Sequence, residues 1–189
     1  MNKYVRAAVT MSCGAVKMIW TKLFHPIDFS ASPICMVSPI SEISIDKGAK
    51  LKIGKMLRLR DNAKIRVRKK ASCEIGDKVA IGSGCIITCR EKITIGSETQ
   101  LGPNVMIYDH DHEFRKNNLS ENKYRTAEIK IGKRVWIGAN SVILKGVSIG
   151  DDAVIGAGTI VTKNIPEQTV FFEKKEYVSL SYEKKGEDM

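Results

Sequence analysis

Two histidines, His110 and His112, stand in the run Asp109-His110-Asp111-His112. A hydroxyl is a poor nucleophile until its proton is removed during attack, and neutral imidazole is matched to that task near pH 7. The pair therefore suits general-base work on a hydroxyl acceptor. Asp109 and Asp111 are weaker candidates, for orienting an imidazole or meeting substrate, because neighbours in an extended chain point to opposite sides. The bland alternative is a solvated loop or a metal site. A site of three histidines would have to recruit His25, the one histidine left and far upstream, so no metal is expected.

These residues interrupt a six-residue rhythm. Aliphatic side chains recur at Ile131, Ile137, Ile143, Ile149, Ile155 and Val161, and small or apolar ones four positions later at Val135, Ser141, Val147, Ala153, Thr159 and Ile165. Arg134, Asn140, Gly146, Asp152, Gly158 and Asn164 fall between them, a set rich in types that tolerate positive φ, so corners are expected there. The rhythm recurs at Ile75, Ile81 and Ile87, then after a two-residue slip at Ile95, Leu101 and Ile107, and more loosely at Ile53, Leu59 and Ile65. A short strand and a corner every six residues close a triangular coil after three repeats, and such coils stack. Neither amphipathic helices nor antiparallel hairpins have this period. A β-solenoid over residues 41–166 is predicted, preceded by a helical or extended segment, 1–40, and followed by a tail, 167–189. Residues 108–130 are its excursion loop, with an exposed tip at 116–122. Cys85 takes an interior position, which argues against a cysteine nucleophile.

The whole chain fits one main domain: 189 residues, 43% of them hydrophobic. No window offers eighteen uninterrupted apolar residues, so a spanning helix is not expected. The first 25 residues lack acids and carry Lys3, Arg6, Lys17 and Lys22. They read as a packed helix, a basic amphipathic helix on a membrane, or an export signal, and the packed helix leads. The five cysteines, Cys13, Cys35, Cys73, Cys85 and Cys89, form no CxxC pair; their odd number argues against a disulfide scaffold and fits a reducing cytoplasm. The net charge is +10, and between Lys47 and Lys70 eleven basic residues face one acid, Asp61. Arg58, Arg60, Arg66 and Arg68 alternate with Leu57, Leu59, Ile65 and Val67, so the arginines are expected to form an exposed ladder for an acidic polysaccharide or the anionic face of a membrane. Without interleaved aromatic residues to stack bases, no nucleic acid partner is expected.

The repeat resembles the hexapeptide-repeat acyltransferases, most specifically from Ile131-Gly132 through Pro166. The resemblance implies a left-handed parallel β-helix, the opposite of the usual crossover hand. Set beside the galactoside and maltose acetyltransferases, Asn104-Val105-Met106 through Trp136-Ile137-Gly138 lays over without gaps, and their catalytic histidine falls on His112, with His110 as second choice. Asp-His-x-His looks more like the acetyltransferases of capsule, exopolysaccharide and lipopolysaccharide sugars. The resemblance further implies acetyl-CoA as co-substrate, bound along Trp136, Ala139, Ala157, Thr162 and Lys163, direct transfer without an acyl-enzyme, and a homotrimer with sites between subunits.

Several departures leave the acceptor open. An acceptor-binding asparagine of the sugar enzymes falls on Gly82, and their last coil's Gly-x-Pro-Ala is replaced by Phe171-Phe172-Glu173-Lys174-Lys175, so the nucleotide end of CoA is expected to be met differently, by Lys174 or Lys175. The leading function is O-acetylation of a sugar or surface-polysaccharide hydroxyl. Its rivals are N-acetylation of an amino sugar and a non-enzymatic trimeric scaffold.

Overall fold

The computed structural model describes residues 2–115, 118–174 and 179. One helix, α1 (Lys3–Phe24), precedes a solenoid of short parallel strands. Asn2 starts α1 by accepting the Tyr4 N–H through its side chain. The helix stops at His25, whose N–H donates to the Thr21 carbonyl, one residue before Pro26. Gly14 and Met18 are buried where α1 meets the first strands, and a Cβ on Gly14 would collide with the Cys35 carbonyl. Lys17 adds a polar clamp, its Nζ donating to the Ser41 carbonyl at 2.6 Å and to Pro39 at 3.3 Å.

Three parallel sheets of six, seven and six strands form the walls of a prism. The first face stacks Phe29–Ala31, Lys50–Ile53, Ser72–Ile75, Lys92–Ile95, Ile129–Ile131 and Ser148–Ile149. Its ladder pairs Ile53 with Ile75, Ile75 with Ile95, Ile95 with Ile131 and Ile131 with Ile149. The second face aligns Leu59, Ile81, Leu101, Ile137 and Ile155, and the third Ile65, Ile87, Ile107, Ile143 and Val161. All these aliphatics are buried, as are Val135, Ser141, Val147, Ala153, Thr159 and Ile165. The hexad reading therefore identifies the core, because every sixth residue enters one narrow interior.

Five of the six expected corners, Arg134, Asn140, Gly146, Asp152 and Gly158, have positive φ. Asn164 does not; its side-chain oxygen accepts the Ser148 N–H instead. The solenoid also extends beyond 41–166, since Phe29–Ala31 pairs with Leu51–Ile53 and Val170–Phe171 with Val154–Ile155. Pro33 and Pro166 break the rhythm there without ending the pairing. The excursion is an antiparallel hairpin of His110–Arg115 and Asn118–Thr126, not an irregular loop. Residues 116 and 117 of its expected tip lie outside the described residues, as does most of the 167–189 tail, including Lys175.

Two arginines of the expected ladder are neutralised and partly covered. Glu42 accepts from Arg66 at 2.7 and 3.0 Å, and Asp46 lies 3.6 Å from Arg68, because the coil before them carries acids in register. Arg60 remains exposed and Arg58 half-buried.

Ile137 is stacked between Leu101 and Ile155 with no exposure. Ile137→Ala should cost about 2–5 kcal/mol, read as a lower midpoint of denaturant unfolding with an unchanged slope.

Candidate functional site

The hairpin leaves the prism at the corner between the third and first faces. The coil beneath that corner is longer than those above it: stacked Ile75 and Ile95 are 20 residues apart, Ile131 and Ile149 only 18. Arg90 and Glu91 form the surplus, between the strands Ile86–Cys89 and Lys92–Ile95. The next coil pairs with Thr88 through Tyr108 and with Ile93 through Ile129, but diverts into the hairpin between them. The backbone N–H groups of Arg90 and Glu91 thus lose their neighbour in the ladder.

Asp109 takes both. Its fully buried carboxylate accepts the Arg90 N–H at 2.8 and 3.0 Å and the Glu91 N–H at 2.8 Å. Its carbonyl accepts the Ala127 N–H at 3.0 Å, closing the hairpin base. His110 Nδ1 lies 3.1 Å from Asp109 Oδ1. Alternation along a strand would separate these neighbours, but Asp109 occupies the bend before the arm begins. Burial alone would push the Asp109 carboxyl up; hydrogen bonds from His110 and the two backbone amides outweigh it and hold the group below the ordinary range. So enclosed, Asp109 is held by the Arg90 and Glu91 amides and lies against His110.

His110 is further enclosed by two rings, Tyr108 at 6.0 Å and Tyr124 at 5.5 Å, both edge-on. Its side chain is 11% exposed. His112, one pleat further out, is exposed and lies 4.8 Å from the Tyr124 ring. The Arg90 guanidinium sits 3.4 Å from the other partners' shared ring, Tyr124, so this tyrosine gathers Arg90 and both histidines. Asp111 is exposed and paired with Lys145 Nζ at 2.6 Å, tying the arm to the next coil. Tyr124, Arg90 and Lys145 escape sequence reading because 12 to 35 residues separate them from the histidines; the two-residue slip at Arg90 is the one trace they leave.

The remaining candidates lie elsewhere on the prism. Trp136 is 59% exposed on the second face, between Gln100 and Val154. Ala139 and Ala157 follow strands of that face and are stacked on glycines: a Cβ on Gly102 would crowd the Ala139 N, and one on Gly138 the Ala157 N. Thr162 and Lys163 are exposed after the third face, with Lys163 Nζ 5.4 Å from the Phe171 ring. Lys174 is exposed. Cys85 is interior and its thiol is pushed up to about 11, chiefly by burial, which leaves no thiolate at neutral pH. No group of three or more metal-ligating side chains occurs among the described residues.

Residues 128–163 match the model described as "Hexapeptide repeat of succinyl-transferase". This stretch of the chain carries that hexapeptide repeat. Galactoside O-acetyltransferase of Escherichia coli K12 is 45% identical over 82 residues, 41% of this hexapeptide-repeat chain and 38% of that protein. WbbJ of the same organism, named as a candidate lipopolysaccharide-biosynthesis O-acetyl transferase, is 38% identical over 103 residues, 50% of this chain and 53% of its own. The chain thus spans about two-fifths to one-half of these relatives' lengths. The crystal structure of AntD, an N-acyltransferase from Bacillus cereus in complex with dTDP and 3-hydroxybutyryl-CoA, superposes with a TM-score of 0.66 at 19% identity, covering 81% of this chain and 83% of AntD. The fold is the parallel β-solenoid anticipated from the repeat, with the left hand that the resemblance implied.

Asp109→Asn removes the charge and one of the two acceptor oxygens, so an amide NH2 would face the Arg90 N–H in either orientation. A loss of about 1–3 kcal/mol at neutral pH is expected. Since the folded carboxyl titrates below its ordinary value of 3.8, its stabilisation is complete above that value and is lost as the pH falls through the lower, folded one. Thermal unfolding against pH should show this acid limb in the wild type and a smaller one in the variant.

Proposed function

We propose that this chain is an acetyl-CoA-dependent O-acetyltransferase acting on a sugar or surface-polysaccharide hydroxyl. The observation that carries the reading is an exposed histidine, His112, on an arm whose root is fixed to a hexapeptide solenoid by Asp109. The imidazole of His112 takes the acceptor hydroxyl's proton as the oxygen attacks the thioester carbonyl. Collapse of the tetrahedral adduct forms the ester and expels CoA thiolate, to which the proton is returned. No acyl-enzyme forms, in keeping with the enclosed thiol of Cys85. The galactoside enzyme and WbbJ support an O-acetyl product. N-acylation of an amino sugar stays the rival product class, AntD being an N-acyltransferase of which one mutant is in complex with dTDP-4-amino-4,6-dideoxyglucose and Coenzyme A.

Trp136, Ala139 and Ala157 form the proposed edge for the pantetheine arm. The tight glycine–alanine stacking keeps this edge low, so an extended ligand can approach the backbone. Thr162 and Lys163 stand near its far end, and Lys163 or Lys174 supplies a point charge for a phosphate. Within one chain the histidine arm springs from the corner after the third face, while Ala139 and Ala157 follow the second. That separation supports a homotrimer in which one subunit's His112 meets its neighbour's edge. The reaction belongs in the cytoplasm, where acetyl-CoA is available.

A second reading gives the base to His110, on one observation: the Asp109 carboxylate at its Nδ1, which fixes tautomer and ring as an orienting acid does for a catalytic base. Thiol release from acetyl-CoA with a panel of sugars, sugar nucleotides and oligosaccharides separates the two. His112→Ala should lower acceptor-dependent release by about 10²–10⁴-fold while leaving CoA binding intact. Full turnover in His112→Ala, with loss confined to His110→Ala, would transfer the role. Hydroxylamine treatment of the product then reads the acceptor atom, since it cleaves an ester and spares an amide.

A further inference from the structure

The outer surface of α1 has the reverse of the expected polarity. Against the prism the helix buries Gly14 and Met18, with half-buried Lys17 and Thr21 beside them. Val5, Ala8, Val9, Val16, Ile19, Trp20 and Leu23 share the opposite side, at steps of three, four and seven residues, and all are exposed. Trp20 packs on Phe24 at 5.2 Å, and Phe24 and Ile27 continue the exposed apolar surface past the helix end. Scattered exposed apolar residues need no explanation, but a stripe of this length along a whole 22-residue helix does.

Charge decides what covers it. The helix has no acid and carries Lys3, Arg6, Lys17 and Lys22. The coil two layers in, with its flanking turns from Lys47 to Lys70, holds eleven basic residues against Asp61. Arg66, Arg68 and Lys52 are paired with Glu42, Asp46 and Glu74 of neighbouring coils; Lys47, Lys50, Lys55, Lys69 and Lys70 are exposed. Coils rise by about 4.8 Å, so this belt lies within roughly a Debye length of the coil that α1 packs on. A second copy of the chain would bring two such belts together. An anionic lipid surface complements them and also takes up the apolar stripe, with tryptophan suited to the boundary between headgroups and acyl chains. Among the described residues no helix is long and apolar enough to cross a membrane, so α1 would lie along the surface.

We propose that the outward face of α1 is an interfacial membrane-binding helix that docks the chain, assisted by the basic belt, on an anionic bilayer. The inference does not depend on the chemistry assigned to His112. An acceptor carried on a lipid would then be met at the surface where the enzyme rests.

Flotation of the full chain with vesicles tests it. The wild type should float with vesicles of equal parts phosphatidylcholine and phosphatidylglycerol, float weakly with phosphatidylcholine alone, and lose part of the anionic binding in high salt. The triple variant Ile19→Ser, Trp20→Ser, Leu23→Ser touches only exposed positions; it should remain in solution with an unchanged unfolding transition and unchanged mass by light scattering. A second variant, Lys50→Glu with Lys55→Glu, should weaken binding to the anionic vesicles alone and serves if the first fails to fold. Failure of the wild type to float with anionic vesicles would overturn the proposal. So would equal flotation of wild type and triple variant, or a fall in oligomeric mass in the triple variant, which would make this face an interface between chains.

Discussion

Each coil of this prism is satisfied by the coils on either side, and the whole site follows from the one place where that arrangement fails. When the chain departs after Tyr108, two amides of the coil below are left without backbone acceptors. An unpaired buried amide costs about as much as a lost hydrogen bond, so the departure is tolerable only with a substitute. The Asp109 carboxylate is that substitute, and because it is charged the bonds it accepts are stronger than those it replaces. Having been fixed by the amides, it fixes His110, and the arm beyond inherits a defined origin.

The arm is also held at two points further out. Tyr124 returns on the opposite strand beneath both imidazoles and Arg90, and Lys145 reaches from the next coil to Asp111. Such exposed ion pairs contribute little to stability, but they restrict where the arm leans. A base carried on a free loop would be positioned by chance; one rooted in a rigid solenoid is held near a repeatable place. The protein thus joins a stiff scaffold to an inserted hairpin, on which the proposed base stands.

The fold was legible because a six-residue period leaves few choices: Ile131 through Val161 could point nowhere but inward, and the structure stacks them in register. The early coils were blurred because they are longer, Ile53 and Ile75 being 22 residues apart, yet Ile53, Leu59 and Ile65 occupy the same columns. The strands at Phe29 and Val170 were missed since two or three residues beside a proline show no period. At the site, the histidines and Asp109 could be picked out by type. What Asp109 does could not, because its partners are backbone groups of Arg90 and Glu91, and backbone groups have no sequence signature. The outward stripe on α1 was hidden for a related reason: a helix pattern reveals two faces without saying which one meets the core.

The central claim is that turnover needs His112 from one chain and the Ala157 edge from another. Two inactive proteins, His112→Ala and Ala157→Trp, can be co-expressed with different tags and the mixed oligomers isolated by sequential purification. If the site is shared, mixed oligomers contain some junctions with both an intact histidine and an intact edge, and acceptor-dependent thiol release should reappear where neither parent shows it. Mixed oligomers of the correct mass that remain as inactive as their parents would contradict the account.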